Sequence, residues 1–162
     1  MPLNPAYVGR TFPPSAPYQV GREKVREFAT ALGDANPAYH DVDVARGLGY
    51  PDLLAPPTFG IVVTMRSLER LTEDPGLGLT WERVVHGEQR FVATRPIVAG
   101  DDLVVTTTIE KIAVVGGNDI LDTRSQITTS AGEPVVTAYA RLVVRAPDEP
   151  GGTAGGDATE AA

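Results

Sequence analysis

The sequence predicts an α+β fold in which an antiparallel sheet wraps around one central helix. Three observations carry that expectation. Residues 58–72 hold an apolar run, with Phe59, Ile61, Val62, Val63 and Met65 hydrophobic nearly all round the first half, as in a buried helix. From residue 83 the texture changes to Val, Ile and Thr in partial alternation, over Arg83–Thr94, Asp102–Val115, Asn118–Ser130 and Pro134–Arg145. Gly116-Gly117-Asn118 and Ala131-Gly132-Glu133 separate the last three of these at hairpin spacing, so three long strands form a meander. A sheet of this kind buries its apolar face on the helix.

The remaining elements follow in order. Residues 1–17 contain Pro2, Pro5, Pro13, Pro14 and Pro17, which predicts an extended lead-in without regular structure of its own. Tyr18-Gln19-Val20 suits a short strand. From Arg22, the residues Val25, Phe28, Ala29 and Leu32 recur at helical offsets; Glu23 and Glu27 suit the positive end of the helix dipole, and Gly33 supplies a stop. Asp34 to Tyr50 is a polar loop with a turn at Asn36-Pro37 and one or two helical turns over Asp43–Leu48. The Pro56-Pro57 pair suits the first turn of the central helix, where a missing N–H costs nothing, and Glu73-Asp74-Pro75-Gly76 ends that helix near Thr72. From Ala146 onward Pro, Gly, Ala and acidic residues predict a disordered tail, 146–162. One domain, 18–145, is expected.

Composition narrows the function classes. With no cysteine, disulfides and thiolate chemistry are excluded. A formal charge of −7 and a pI of about 4.8 argue against nucleic acid as the main partner, because phosphate binding requires a basic face. The start, Met1-Pro2-Leu3-Asn4-Pro5, has neither the basic nor the apolar segment of a signal peptide, and the apolar run at 61–65 is too short to span a bilayer. A cytoplasmic protein without membrane partner is the expectation. His40, Asp41, Asp43 and His86 do not make a metal site, since Asp41-Val42-Asp43 lacks the alternating oxygen ligands of a calcium loop. Gly47-Leu48-Gly49 lacks the strand–turn–helix context of a phosphate loop. His86 belongs to a predicted strand, as a packing or interface residue.

The polar stretch Gly33-Asp34-Ala35-Asn36-Pro37-Ala38-Tyr39-His40 gathers nearly all side chains suited to chemistry. It resembles the G-D-x-N-P-x-H motif of MaoC-like, hot-dog-fold (R)-specific enoyl hydratases and (3R)-hydroxyacyl dehydratases. Gln89-Arg90-Phe91 and the Gly100-Asp101-Asp102-Leu103 turn look like further parts of that pattern, over about residues 5–145. The resemblance implies a hot-dog fold, a substrate carried on ACP or CoA, and no other cofactor. It also implies an acid/base pair and a backbone N–H that polarises the thioester carbonyl, because proton removal beside a thioester builds enolate charge.

On that motif the catalytic Asp falls on Asp34 and the Asn on Asn36. The His position is Tyr39, with His40 one place later, and an ordinary tyrosine, with a pKa near ~10, is a poor base at neutral pH. The donor glycine falls on Pro57, which has no N–H. Two of three catalytic elements are thus altered, as in a pseudo-site. Leu54-Ala55-Pro56-Pro57-Thr58-Phe59 resembles a segment of the partner subunits of heterodimeric (3R)-hydroxyacyl-ACP dehydratases. The implied role is a subunit that shapes an acyl tunnel for a catalytic MaoC-like partner, with Tyr39, Pro57, Thr58 and Phe59 binding substrate. Two alternatives stay open: a self-sufficient hydratase using Asp34, Asn36 and His40, and a non-enzymatic acyl-thioester binding protein. Asp34 and Asn36 also suit plain turn formation. Because a single curved sheet leaves a strand edge, a homodimer or heterodimer is expected.

Overall fold

The computed structural model describes residues 2–146, and the expectation of a disordered tail lies outside the described residues from 147 onward. Five strands form one antiparallel sheet: β1 (Tyr18–Gln19), β2 (Val84–Ala93), β3 (Asp102–Val115), β4 (Asn118–Thr129) and β5 (Pro134–Val144), in the spatial order β1-β3-β4-β5-β2. The helices are α1 (Arg22–Ala31), α2 (Val42–Gly47) and α3 (Gly60–Thr72), and α3 lies against β3, β4 and β5. The meander of β3, β4 and β5 matches the sequence expectation to within a residue at each strand end. Among the described residues no helix is long and apolar enough to cross a membrane.

Two local expectations are corrected. The central helix starts at Gly60, two residues later than Thr58, because Pro56 and Pro57 sit in a preceding turn closed by the Phe59 N–H on Pro56 O (2.9 Å). The lead-in is not without structure of its own. It contains a 3₁₀ turn at Pro5–Tyr7, capped by Asn4, and then runs along β3. Gly9, Phe12 and Ser15 donate N–H bonds to Ile109 O, Thr107 O and Val105 O at 2.8–2.9 Å. Proline cannot donate, but the residues between the prolines can, and an edge position tolerates the gaps. The lead-in and β1 therefore cover the outer edge of β3, whereas among the described residues β2 pairs with β5 alone.

The core is layered along α3. Around its head pack Val25, Ala29, Leu53, Phe59, Val63, Leu103 and Ile127; around its tail pack Leu68, Leu71, Leu77, Ile109, Leu121 and Leu142. Between the two apolar layers the buried side chains are small: Ser67, Thr107, Thr123, Ser125, Ala138 and Ala140. Ser67 Oγ bonds to Thr107 Oγ1 (2.9 Å), which bonds to Ser125 Oγ (2.8 Å). This hydroxyl chain satisfies the polar groups of the middle layer except Thr123 Oγ1, which is buried without a partner among the described residues. A single sheet covers only one side of α3, so Ile61, Val62 and Met65 remain half-buried despite their apolar character.

At the end of the domain that holds the loops, Arg22 clasps Asp52 through two bonds of 2.8 and 2.7 Å, tying the start of α1 to residues 51–55. The Arg22 guanidinium and the Leu53 N–H hold the Asp52 carboxyl down to about 2, against the opposing pull of desolvation.

Two stability outcomes follow. Thr123→Val keeps the shape and removes the orphaned hydroxyl, so the melting temperature should rise by about 1–4 °C, whereas Ser125→Ala strips Thr107 of a partner and should cost about 1–3 kcal/mol. Because the Asp52 carboxyl is held below its ordinary value, its contribution is fully present above about pH 4 and is lost as pH falls toward 2. Asp52→Asn should lower the melting temperature by about 1–4 °C at pH 7. The difference from the parent protein should shrink as pH falls through about 2.

Candidate functional site

The candidate loop begins where α1 stops. Gly33 turns the chain at φ 69°, a conformation open to a residue without Cβ, and the Asp34 N–H returns to Ala29 O at 2.9 Å. From there each polar side chain serves the local backbone. Asp34 Oδ1 accepts the Asn36 N–H (3.0 Å), and Asn36 Oδ1 accepts the Ala38 N–H (3.1 Å), capping a 3₁₀ turn at Pro37–Tyr39. His40 Nε2 lies 3.0 Å from the Asp34 carbonyl oxygen, and Arg26 Nε donates to His40 O at 3.0 Å. Asp41 caps α2 by accepting the N–H groups of Asp43 and Val44.

Four of the candidate residues line two separate hollows. Asp34 and His40 share a shallow depression with Thr30, Gly33 and Ala35. Tyr39 and Pro57 face a different one, a cleft of about 160 Å³ at the head of α3, lined also by Leu54, Ala55, Pro56, Ala93, Arg95, Pro96, Ile97 and Val136. Thus His40, one place beyond the motif's histidine position, does not line the cleft that holds Pro57. Thr58 is exposed and lines neither hollow. Phe59 is fully buried, edge-to-face on Phe28 with ring centroids 5.4 Å apart, and lines neither hollow.

The chemistry of the cleft is sparse. Pro56, Pro57 and Pro96 contribute no N–H. Arg95 is a wall residue that sequence reasoning missed, although it lies between the two quoted segments, Gln89–Phe91 and Gly100–Leu103. Its guanidinium is committed to structure, with paired bonds of 2.9 Å to Asp101, further bonds to Glu133 and one to Pro96 O. Those bonds, Asp101 first, raise its affinity for the proton against partial desolvation. Tyr39 and Arg95 are the only titratable side chains in the lining, which holds no His, Asp or Glu. Among the described residues no three His, Cys, Asp or Glu side chains gather as a metal site.

Comparison with known proteins follows this geometry. A model of the FAS1-like, dehydratase domain region matches residues 6–138. A UPF0336 protein of Streptomyces coelicolor is 56% identical over 149 residues, covering 92% of this chain and 99% of its own. A solved MaoC-like dehydratase superposes with a TM-score of 0.80 at 36% identity over 88% of this chain, which spans only 43% of that longer protein. The C-terminally truncated HadBC (3R-hydroxyacyl-ACP dehydratase) complex of Mycobacterium tuberculosis includes a chain matching at a TM-score of 0.73 and 33% identity, over 85% of this chain and 96% of its own.

The burial of Phe59 yields a direct test. Phe59→Ala should cost about 3–5 kcal/mol in urea unfolding, the price of a large void in a sealed core. A residue that merely lined a binding cleft would cost far less.

Proposed function

The chain belongs to the FAS1-like dehydratase-region family, with the hot-dog fold of MaoC-like dehydratases, and from that premise we propose that it is the acyl-accommodating subunit of a (3R)-hydroxyacyl-thioester dehydratase or (R)-specific enoyl hydratase. In this reading the chain shapes the site and a second hot-dog subunit performs the proton transfers. The substrate is an acyl-ACP or acyl-CoA, and the setting is cytoplasmic fatty-acid metabolism.

One observation carries the proposal: the cleft at the head of α3 holds a tyrosine and a proline where the motif calls for a base and a backbone donor. The residues that would otherwise supply acid/base chemistry are engaged elsewhere. Asp34 spends a carboxylate oxygen on the turn, and His40 sits against the Asp34 carbonyl in the other hollow. The free edge of β2 supports the partner, because an unpaired strand invites a second chain. Val85 and Val92 are about half exposed on that strand, and Gln89 Nε2 is buried there without a partner among the described residues. The HadBC chains, themselves two subunits of one complex, are consistent with such pairing.

The self-sufficient alternative draws on the shared hollow of Asp34 and His40. Turnover separates the two readings. Loss of a general base removes roughly 10²–10⁴-fold in rate, and loss of an oxyanion donor about 10²–10³-fold. The isolated chain should therefore be close to inert on crotonyl-type thioesters, followed by enoyl absorbance. A hot-dog partner with an intact G-D-x-N-P-x-H motif should restore activity, and Asp34→Asn in this chain should then change the rate by less than about twofold, against the ~10²-fold of a working acid/base group. Strong activity of the lone protein that vanishes with His40→Ala would overturn the proposal.

A further inference from the structure

We infer that the Tyr39 hydroxyl is the recognition group of the cleft at the head of α3, donating a hydrogen bond to the carbonyl oxygen of a neutral acyl segment bound there. The inference rests on the acyl-thioester reading above for its choice of ligand, and it assigns the cleft a polarity and a donor that the reading alone does not.

The geometry that points to this is one free donor in an otherwise apolar wall. Tyr39 is 6% exposed, its ring packs into the apolar layer around the head of α3, and it forms part of the cleft wall. Its hydroxyl has no hydrogen-bond partner among the described residues. Nor is it one of the sealed, unpartnered side-chain atoms among the described residues, so it keeps contact with solvent and is free to meet a ligand. Asp34, Asn36, His40 and Asp41 each hold a backbone group. Tyr39 holds none, and it lines the cleft.

What surrounds the hydroxyl sets the ligand class. The side chains of Leu54, Ala55, Pro56, Pro57, Ala93, Ile97 and Val136 make the rest of the wall apolar. Arg95 is the only cation in the lining, and its N–H groups are committed to Asp101, Glu133 and Pro96 O. A carboxylate or phosphate would find no free counter-charge, so the occupant is uncharged. Tyr39 is the only lining side chain with a donor still free, which fits an occupant with one acceptor. At about 160 Å³ the cleft is close in size to the ~150 Å³ apolar cavity known to take up benzene. A short acyl segment ending in a carbonyl meets all three conditions. Pro57 fits the same picture: with no backbone N–H at that position, the phenol becomes the local donor.

The test uses the full chain and two small probes, S-butyryl-N-acetylcysteamine and the matching thioether S-butyl-N-acetylcysteamine, which lacks the carbonyl. Binding is read from the methyl NMR signals of Ile97 and Val136, and folding from thermal melts. The thioester should bind the parent protein about 3- to 10-fold more tightly than the thioether, the worth of one neutral hydrogen bond. Tyr39→Phe should erase that preference, leave thioether affinity unchanged and melt as the parent does. Equal affinity of the parent protein for both probes would overturn the inference without any variant. Retention of the preference in Tyr39→Phe would overturn it too, and in both cases the acyl-cleft reading would survive. If neither probe shifts the Ile97 and Val136 signals, the inference and the acyl-cleft reading fall together.

Discussion

The head of α3 can lie on the sheet because residue 60 has no side chain. A Cβ there would stand 3.1 Å from Phe91 Cε1 and 3.4 Å from Ile127 Cδ1, closer to the aromatic ring than real contacts comfortably allow. That approach seats Phe59 in the sealed layer between the sheet and Phe28. It also fixes where the Pro56-Pro57 turn must fall, since Phe59 N–H closes back on Pro56 O. The cleft is the space left over between this turn, Tyr39 and the strand ends at Ala93 and Val136. Site position is thus a consequence of one close backbone approach.

The walls of the cleft are braced from outside by ion pairs. Asp52, held by Arg22, precedes Leu53 and Leu54, and Leu53 O receives the Ala99 N–H at 2.8 Å. Arg95 links the segment after β2 to the Gly100-Asp101 turn and to Glu133 before β5. Asp101 Oδ2 also accepts the Val98 N–H at 2.9 Å, so one carboxylate fastens both the guanidinium and the backbone of the wall. Isolated surface pairs contribute little. These pairs are partly buried and share backbone partners, which makes them fasteners of loop geometry more than sources of stability.

Much of the fold was legible in the sequence because its periodicities are those of single elements. The meander strands ended within a residue of expectation, since Gly-containing turns punctuate a Val/Ile/Thr-rich run. The lead-in was not legible: five prolines signal irregular chain, and nothing local tells that Gly9, Phe12 and Ser15 would find acceptors on β3. The candidate site was legible in part. The loop and its residues stand where the motif put them, but adjacency in sequence hid their separation. Tyr39 and His40 are neighbours, yet the 3₁₀ turn at Pro37–Tyr39 sends one side chain into the core and the other toward Asp34. Arg95 was missed because a lone arginine after a strand carries no local signal; its role comes from the Asp101 and Glu133 carboxylates that the fold brings to it.

The altered positions make joint physical sense on the proposed reading. A catalytic subunit needs a bare N–H at the turn before α3, which constrains that turn to residues with a free amide. Once a partner supplies catalysis, the constraint lifts, and proline becomes favourable there because it restricts the unfolded chain without straining a turn it fits. The same release applies at position 39. A histidine serving as base must reach both water and substrate, whereas a tyrosine can be packed into the core and present only its hydroxyl. Both substitutions trade reactivity for rigidity and apolar surface. A cleft built that way can hold an acyl segment in a fixed orientation and leave the reacting carbons to groups on another chain.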